Sequence, residues 1–477
     1  MSTEKALGIL TARLMFRSET VMRRILVLFC FSILLSPVWA QQSALTLDQA
    51  VQQALAKYPA IRASLEQVAA AAAGINLART AYLPRTDFVG QVNRATRNSV
   101  FGLLLPQGVI PSISGPVLGT NELTNVWGSA IGVLVSWEPF DFGLRKANVE
   151  LAVAARTRRE ADLSLSRLQV SVAGADGFLT LLAAQQTVAA ARAAVERARM
   201  VDQVVGARAQ SGLRPGADAA RAHAELAFAD TQLARAEQAA EVARAALANL
   251  LGVRAGQVMV QPGPLLGPPP AAQPAPGTLS AHPAAQQQRA AIEEVKDQER
   301  VLDRSYYPKL YLQGSSYARG TGARTDGTTG GGFSGLGPNI QNWAVGVTVA
   351  FPAFDFFSIR ARKEIQLHRE RSETAQYEHL LQDLQGQLEQ ALAQYRGAVR
   401  IARNTPVQLD AARMAEQQAT ARYNSGLGNI IEVAEAQRLM TQAEIDDSLA
   451  RLGVWRALLA IAMAQGDLQP FLQSAAK

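Results

Sequence analysis

The chain has 477 residues, a formal net charge of +7, 48% hydrophobic residues and one cysteine. So mild a basic excess, with no Lys/Arg-rich block interleaved with aromatics, excludes a dedicated nucleic-acid binder, and a lone cysteine excludes a disulfide framework. His223, His282, His368 and His379 are scattered with no metal-ligand spacing, so neither an enzyme nor a bound cofactor or metal is expected.

In chain order, Arg23-Arg24 precede an apolar run from Ile25 to Leu35, then Pro37 and the small-residue site Val38-Trp39-Ala40. This reads as a secretory signal peptide over residues 1–40, cut before Gln41, with the residues ahead of Met22 as an upstream extension. Cys30 lies inside it, which leaves the mature chain without a thiol.

Residues 47–57 read as a short helix closed by Tyr58-Pro59, and 61–82 as a second helix ended by Pro84. The grammar then changes. Trp127, Ile131, Val133, Val135 and Trp137 alternate with small or polar residues, as a strand with one apolar face does. A hairpin of strands at about 85–94 and 127–137 follows, with Gly, Ser, Thr and Pro filling the connection.

Residues 145–210 contain no proline and favour Ala, Leu, Arg, Glu and Gln, so they predict one helix roughly 100 Å long. Charges such as Arg156, Arg158, Arg159, Glu160 and Asp162 exclude a membrane span. The helix ends at the tip Ser211-Gly212-Leu213-Arg214-Pro215-Gly216, and 218–251 reads as a return helix. A proline-rich linker occupies 252–278.

The second half repeats this order: helix 284–305, hairpin at about 310–319 and 343–351, long helix 359–423, tip, return helix 430–465. In the later strand Trp343, Val345, Val347, Val349 and Phe351 form a clean apolar face. Pro406 predicts a kink in the second long helix. The interval from Asp141 to Asp355 equals that from Gly212 to Gly426, whereas Pro59 to Pro283 and Pro84 to Pro308 share a slightly longer one. Two copies of one architecture follow, residues 41–265 and 266–477, with the length difference in the first hairpin loop. By length, 218–251 placed end to end with 284–305 spans about 84 Å, and 61–82 with 430–465 about 87 Å, close to one long helix.

Strands of this length with aromatic ends and one apolar face point to an outer-membrane barrel. Four strands cannot close one, and open edges are not tolerated in lipid, so several chains must share it. The fold class expected is therefore mainly α, with a long α-helical barrel and a transmembrane β-barrel to which each protomer gives four strands. A Gly-x-Gly-x-x-Gly match at Gly330, Gly332 and Gly335 precedes Pro338 and a strand, which reads as an exposed hairpin loop.

With these features the chain resembles the TolC-like outer-membrane efflux proteins over nearly its whole mature length. The most specific piece is Arg422-Tyr423-Asn424-Ser425-Gly426-Leu427. The resemblance implies a homotrimer with its barrel in outer-membrane lipid and a periplasmic helical tunnel. It also implies a periplasmic adaptor (membrane fusion) protein and, through it, an inner-membrane pump of RND or ABC type. Tip residues Gly212, Leu213, Ser425, Gly426 and Leu427 would meet the adaptor.

The resemblance further matches Asp218 and Tyr423 to the hydrogen-bonded pair that holds the tunnel shut, and Glu432 and Glu435 to the carboxylates that ring its narrowest point. Gly428 stands where the family has a tip arginine. Plainer readings stand beside these. Asp218 suits the first turn of a helix whatever else it does, Asn429-Ile430-Ile431-Glu432 is a capping-box pattern, Tyr423 could pack structurally and Glu435 could be a solvated charge. The function expected is a passive exit duct in the outer membrane for a tripartite efflux or type I secretion system; the alternative is a soluble periplasmic coiled-coil scaffold or adaptor.

Overall fold

The computed structural model describes residues 44–96, 123–211, 216–268, 277–324, 328–352 and 354–476. The signal peptide, Gly212 and Leu213 lie outside these residues.

Helix α1 (Leu47–Lys57) starts at a capping box: the Gln49 N–H donates to the Thr46 hydroxyl at 3.3 Å, and the Thr46 N–H to the Gln49 side chain at 3.0 Å. Tyr58 ends it and Pro59 opens α2 (Pro59–Thr80), where a missing N–H costs nothing. Next come β1 (Arg85–Thr96), β2 (Asn125–Phe140), the 67-residue α3 (Leu144–Gln210) and α4 (Gly216–Leu251). Short 3-10 turns at Ala255–Gln257, Gly263–Leu266 and Leu279–Ala281 cross to the second half. There α5 (Pro283–Ser305), β3 (Lys309–Thr321), β4 (Ile340–Ala350), the 69-residue α6 (Phe356–Asn424), α7 (Ile430–Gln465) and α8 (Gln469–Ala476) follow. Helix α6 continues through Pro406, and α8 is a further helix beyond the return helix expected at 430–465.

The four strands form one antiparallel sheet in the order β1-β2-β3-β4, so the two hairpins pair through β2 and β3. The register decides which residues share a face. Val347 stands opposite Leu312, Leu312 opposite Trp137, Val135 opposite Thr86, and Val133 opposite Phe88. One face is thus continuous through Phe88, Ile131, Val133, Val135, Trp137, Leu312 and the β4 row, and Val347 is 66% exposed on it. The opposite face carries Asn93, Gln91, Gln313, Tyr317 and Thr348. A register shift between Trp137 and Phe140 lets β2 run on past Trp137, where the alternation predicts an end. The Gly330–Gly335 segment lies between β3 and β4, with no helix after it.

Near the sheet, α2 packs on α3, α3 on α5 and α5 on α6, the order of the strands they continue. Towards the tips, α3 packs on α4 and α7, and α6 on α7. Length alone pairs 218–251 with 284–305 and 61–82 with 430–465, and the structure corrects both. His282 at the start of α5 bonds the Met463 carbonyl in the last turn of α7 at 3.1 Å. Similarly, Gln53 of α1 donates to the Leu251 carbonyl that ends α4, at 3.4 Å. Each stack stays within its own half, α2 with α4 and α5 with α7. Lengths could not separate the alternatives, because either assignment gives nearly the same sum.

The core lies where the two levels meet. Phe178, Leu179, Leu181 and Leu182 of α3 are all 0% exposed, enclosed with Val51 of α1, Leu247 of α4 and Ile461 of α7. Burial of such side chains contributes about 1.5–3 kcal/mol each. Gly174 and Gly177 admit the neighbours: a Cβ at Gly174 would meet Ala54 Cβ at 3.4 Å, and one at Gly177 would meet Leu247 Cδ1 at 3.4 Å. Val258 and Leu265 of the linker insert into the same core.

Candidate functional site at the helical tips

The end of α6 closes by a Schellman turn. The Leu427 N–H donates to the Arg422 carbonyl at 2.9 Å, the Gly426 N–H to the Tyr423 carbonyl at 3.2 Å, and Gly426 takes φ +78°, open to glycine without strain. The Ser425 hydroxyl donates to the Ala421 carbonyl at 2.9 Å. Leu427 is 73% exposed, so the turn presents an apolar side chain to solvent.

Behind the turn lies a small core of Val205, Ala222, Tyr423, Ile430 and Val433, with Ala219 packed against it. Tyr423 is 3% exposed, and the Arg208 guanidinium sits 5.9 Å from its ring centre. This cluster joins the ends of α3 and α6 to the starts of α4 and α7. Asp218 is half-buried in the first turn of α4, next in sequence to Ala219. The structure therefore brings Asp218 and Tyr423 to one tip.

The Asn429 side chain caps α7, accepting the Glu432 N–H at 2.9 Å. The Glu432 carboxylate makes no return bond in this cap; it lies 3.7 Å from Arg422 Nε instead. Gly428 keeps this contact possible, since a Cβ there would come within 3.1 Å of Glu432 Oε2 and 3.3 Å of Arg422 Cβ. Arg422 also donates to the Leu427 carbonyl at 3.2 Å. A guanidinium thus stands at this turn although Gly428 supplies none. Glu435 is exposed one turn on, with no ion pair to another described residue, and it shares the solvent side of α7 with Glu432 and Leu439, opposite buried Val433 and Met440.

Sequence reasoning missed two sites that hold the architecture. Asp141 and Arg145, both buried, form a 2.9 Å ion pair where β2 turns into α3. His282 joins α7 to α5, its Nδ1 accepting the Ala284 N–H at 3.1 Å. The only available signals were the position of Asp141 after the strand and of His282 before a proline.

The family model described as "Outer membrane efflux protein" matches residues 50–253 and 277–467. The chain is 25% identical over 430 residues to the pyoverdine export outer membrane protein OpmQ of Pseudomonas aeruginosa, covering 88% of this chain and 86% of that protein. It is 26% identical over 434 residues to protein CyaE of Bordetella pertussis, covering 89% and 84% respectively. The crystal structure of the Campylobacter jejuni CmeC outer membrane channel superposes with a TM-score of 0.69 at 17% identity, covering 92% of this chain and 91% of that one. Proteins of this family are trimeric outer-membrane channels that work with an adaptor and an inner-membrane pump. The match spans both halves of the chain, which belongs to the outer membrane efflux protein family and is a TolC-like exit duct.

Proposed function

We propose that three copies close a twelve-stranded barrel and that the tips of α3 to α4 and α6 to α7 form a gate at the periplasmic end. The observation that carries this is the sheet: among the described residues β1 and β4 are unpaired edges, and one face is apolar from edge to edge. In lipid such edges need partners, and pairing β4 of one copy with β1 of the next supplies them.

In this reading the repeats are residues 41–265 and 266–477. Asp218 and Tyr423 latch α4 to the end of α6, Glu432 and Glu435 form acidic rings across the threefold axis, and Gly212, Leu213, Ser425, Gly426 and Leu427 meet the adaptor. Arg422 neutralises part of the Glu432 ring, so Glu435 dominates cation selection. The duct does no chemistry, and its pump is of RND or ABC type. Reconstitution in planar bilayers tests the proposal. Cation-selective channels that widen when Asp218 and Tyr423 are changed support it; a protein that forms no channels refutes it.

A further inference from the structure

Below the central strands lies a cleft of about 600 Å³ between the first turns of α3 and the last turns of α5. Lys146, Glu150, Arg300, Asp303 and Arg304 give it polar walls, and Phe142 and Tyr307 an aromatic rim.

Three features tie it to the membrane. Aromatic rings lead into it from the lipid-facing side of the sheet. Phe140, opposite Leu310 in the β2–β3 pairing, meets Phe142 edge-on at 4.7 Å, and Phe142 stacks on Tyr307 at 5.4 Å. Such rings settle at headgroup level.

One cation of the cleft stands outside the ion pairs. Lys146 pairs with Glu150 at 3.8 Å, Arg300 with Asp297, and Lys363 with both Asp303 at 2.5 Å and Glu299 at 3.7 Å. Arg304 has no carboxylate partner among the described residues. Its stem lies beside Gly143, whose φ of +92° excludes most side chains there.

The third feature is position. The wall runs α2, α3, α5, α6, so in the proposed trimer, closed through α2 and α6, the α3–α5 cleft lies in the middle of each protomer, away from the joints between copies.

We propose that this cleft binds the headgroup of an anionic glycerophospholipid of the periplasmic leaflet. Its phosphate is held by Arg304 with help from Lys146, its glycerol lies against Phe142 and Tyr307, and its acyl chains rise along the apolar face of β2 and β3. A guanidinium suits the phosphate because it can donate two parallel hydrogen bonds. The inference rests on the outer-membrane placement of the barrel.

Native mass spectrometry of the detergent-solubilised mature protein with added phosphatidylglycerol tests it. The expected result is one tightly retained lipid per chain, held about tenfold more weakly by Arg304→Gln and by Lys146→Gln/Arg304→Gln, with Arg304→Lys intermediate. Diacylglycerol should not be retained, and excess inorganic phosphate should not displace the lipid. Equal retention by wild type and both Gln variants overturns the site, as does retention of diacylglycerol or displacement by phosphate. If the protein instead stays monodisperse without detergent, the barrel placement itself fails; detergent dependence with unchanged lipid retention sinks only the cleft.

Discussion

Removing the Asp141 carboxylate should loosen the joint between barrel and tunnel. Its Oδ1 accepts the Gly143 N–H at 3.1 Å, while Oδ2 accepts the Arg145 N–H at 2.6 Å and Arg145 Nε at 2.9 Å. Arg145 in turn donates to the Ala81 carbonyl at 3.2 Å and stacks 4.9 Å from the Tyr82 ring centre, so the pair fastens β2, α3 and the end of α2 together. Both side chains are under 10% exposed, at 8% for Arg145 and 9% for Asp141. Asp141→Ala would leave a buried guanidinium without its counter-charge, at a cost of about 3–5 kcal/mol. The repeat offers an internal control. Asp355 stands at the equivalent position before α6 but is exposed and makes no side-chain capping bond, so Asp355→Ala should cost no more than about 0.5 kcal/mol. Urea unfolding of the protein in lipid vesicles can be followed by tryptophan fluorescence, because Trp137 is fixed nearby by a 3.0 Å bond to the Tyr82 carbonyl. Burial pushes the Asp141 carboxyl up, but hydrogen bonds from the Arg145 backbone, its side chain and the Gly143 N–H together hold it below the usual range. The stability it contributes is therefore present above about pH 4 and lost as the pH falls through the depressed folded value. Equal costs for the two alanine variants would refute the reasoning.

Other outcomes follow from the same structure. Asp218→Ala with Tyr423→Phe should raise single-channel conductance in planar bilayers, and unchanged conductance removes the latch. Glu435→Gln should weaken cation selectivity more than Glu432→Gln, because Arg422 already lies 3.7 Å from Glu432; reversal potentials that reverse this order contradict it. Val347→Arg on the apolar face should cost about 2–4 kcal/mol in vesicles, and Thr348→Arg on the opposite face far less, so equal costs would mean that the apolar face does not meet lipid. Burial lowers the His282 pKa below 6.5, outweighing the bond to Met463. Its contribution is full above about pH 6.5 and falls as the pH drops towards the depressed folded value, where Nδ1 gains a proton and can no longer accept the Ala284 N–H. A His282→Gln variant with an unchanged pH profile of stability would contradict this.

Much of this fold is written in local pattern. The alternation from Trp343 to Phe351 marks β4 without any partner in view, and the absence of proline between residues 145 and 210 marks α3. Ile430–Gln465 and Leu47–Lys57 begin and end where capping and proline chemistry place them. What escaped depends on segments far apart in the chain. Gly174 looks like a weakness in a helix until Val51 and Ala54 are packed against it, and Asp141 becomes a joint only when Ala81 and Tyr82 arrive beside Arg145. The stacking of α5 on α7 rests on His282 and Met463, which no period or length connects. At the tip, the motif around Gly426 was legible, but the contact of Arg422 with Glu432 was not, since it depends on how Gly428 lets the turn close.

Whether several chains share one barrel is tested most directly by the mass of the detergent-solubilised particle. Three copies of the mature chain, after correction for bound detergent, are expected. A stable particle containing a single chain would contradict it, because the edges of β1 and β4 would then have to face lipid unpaired.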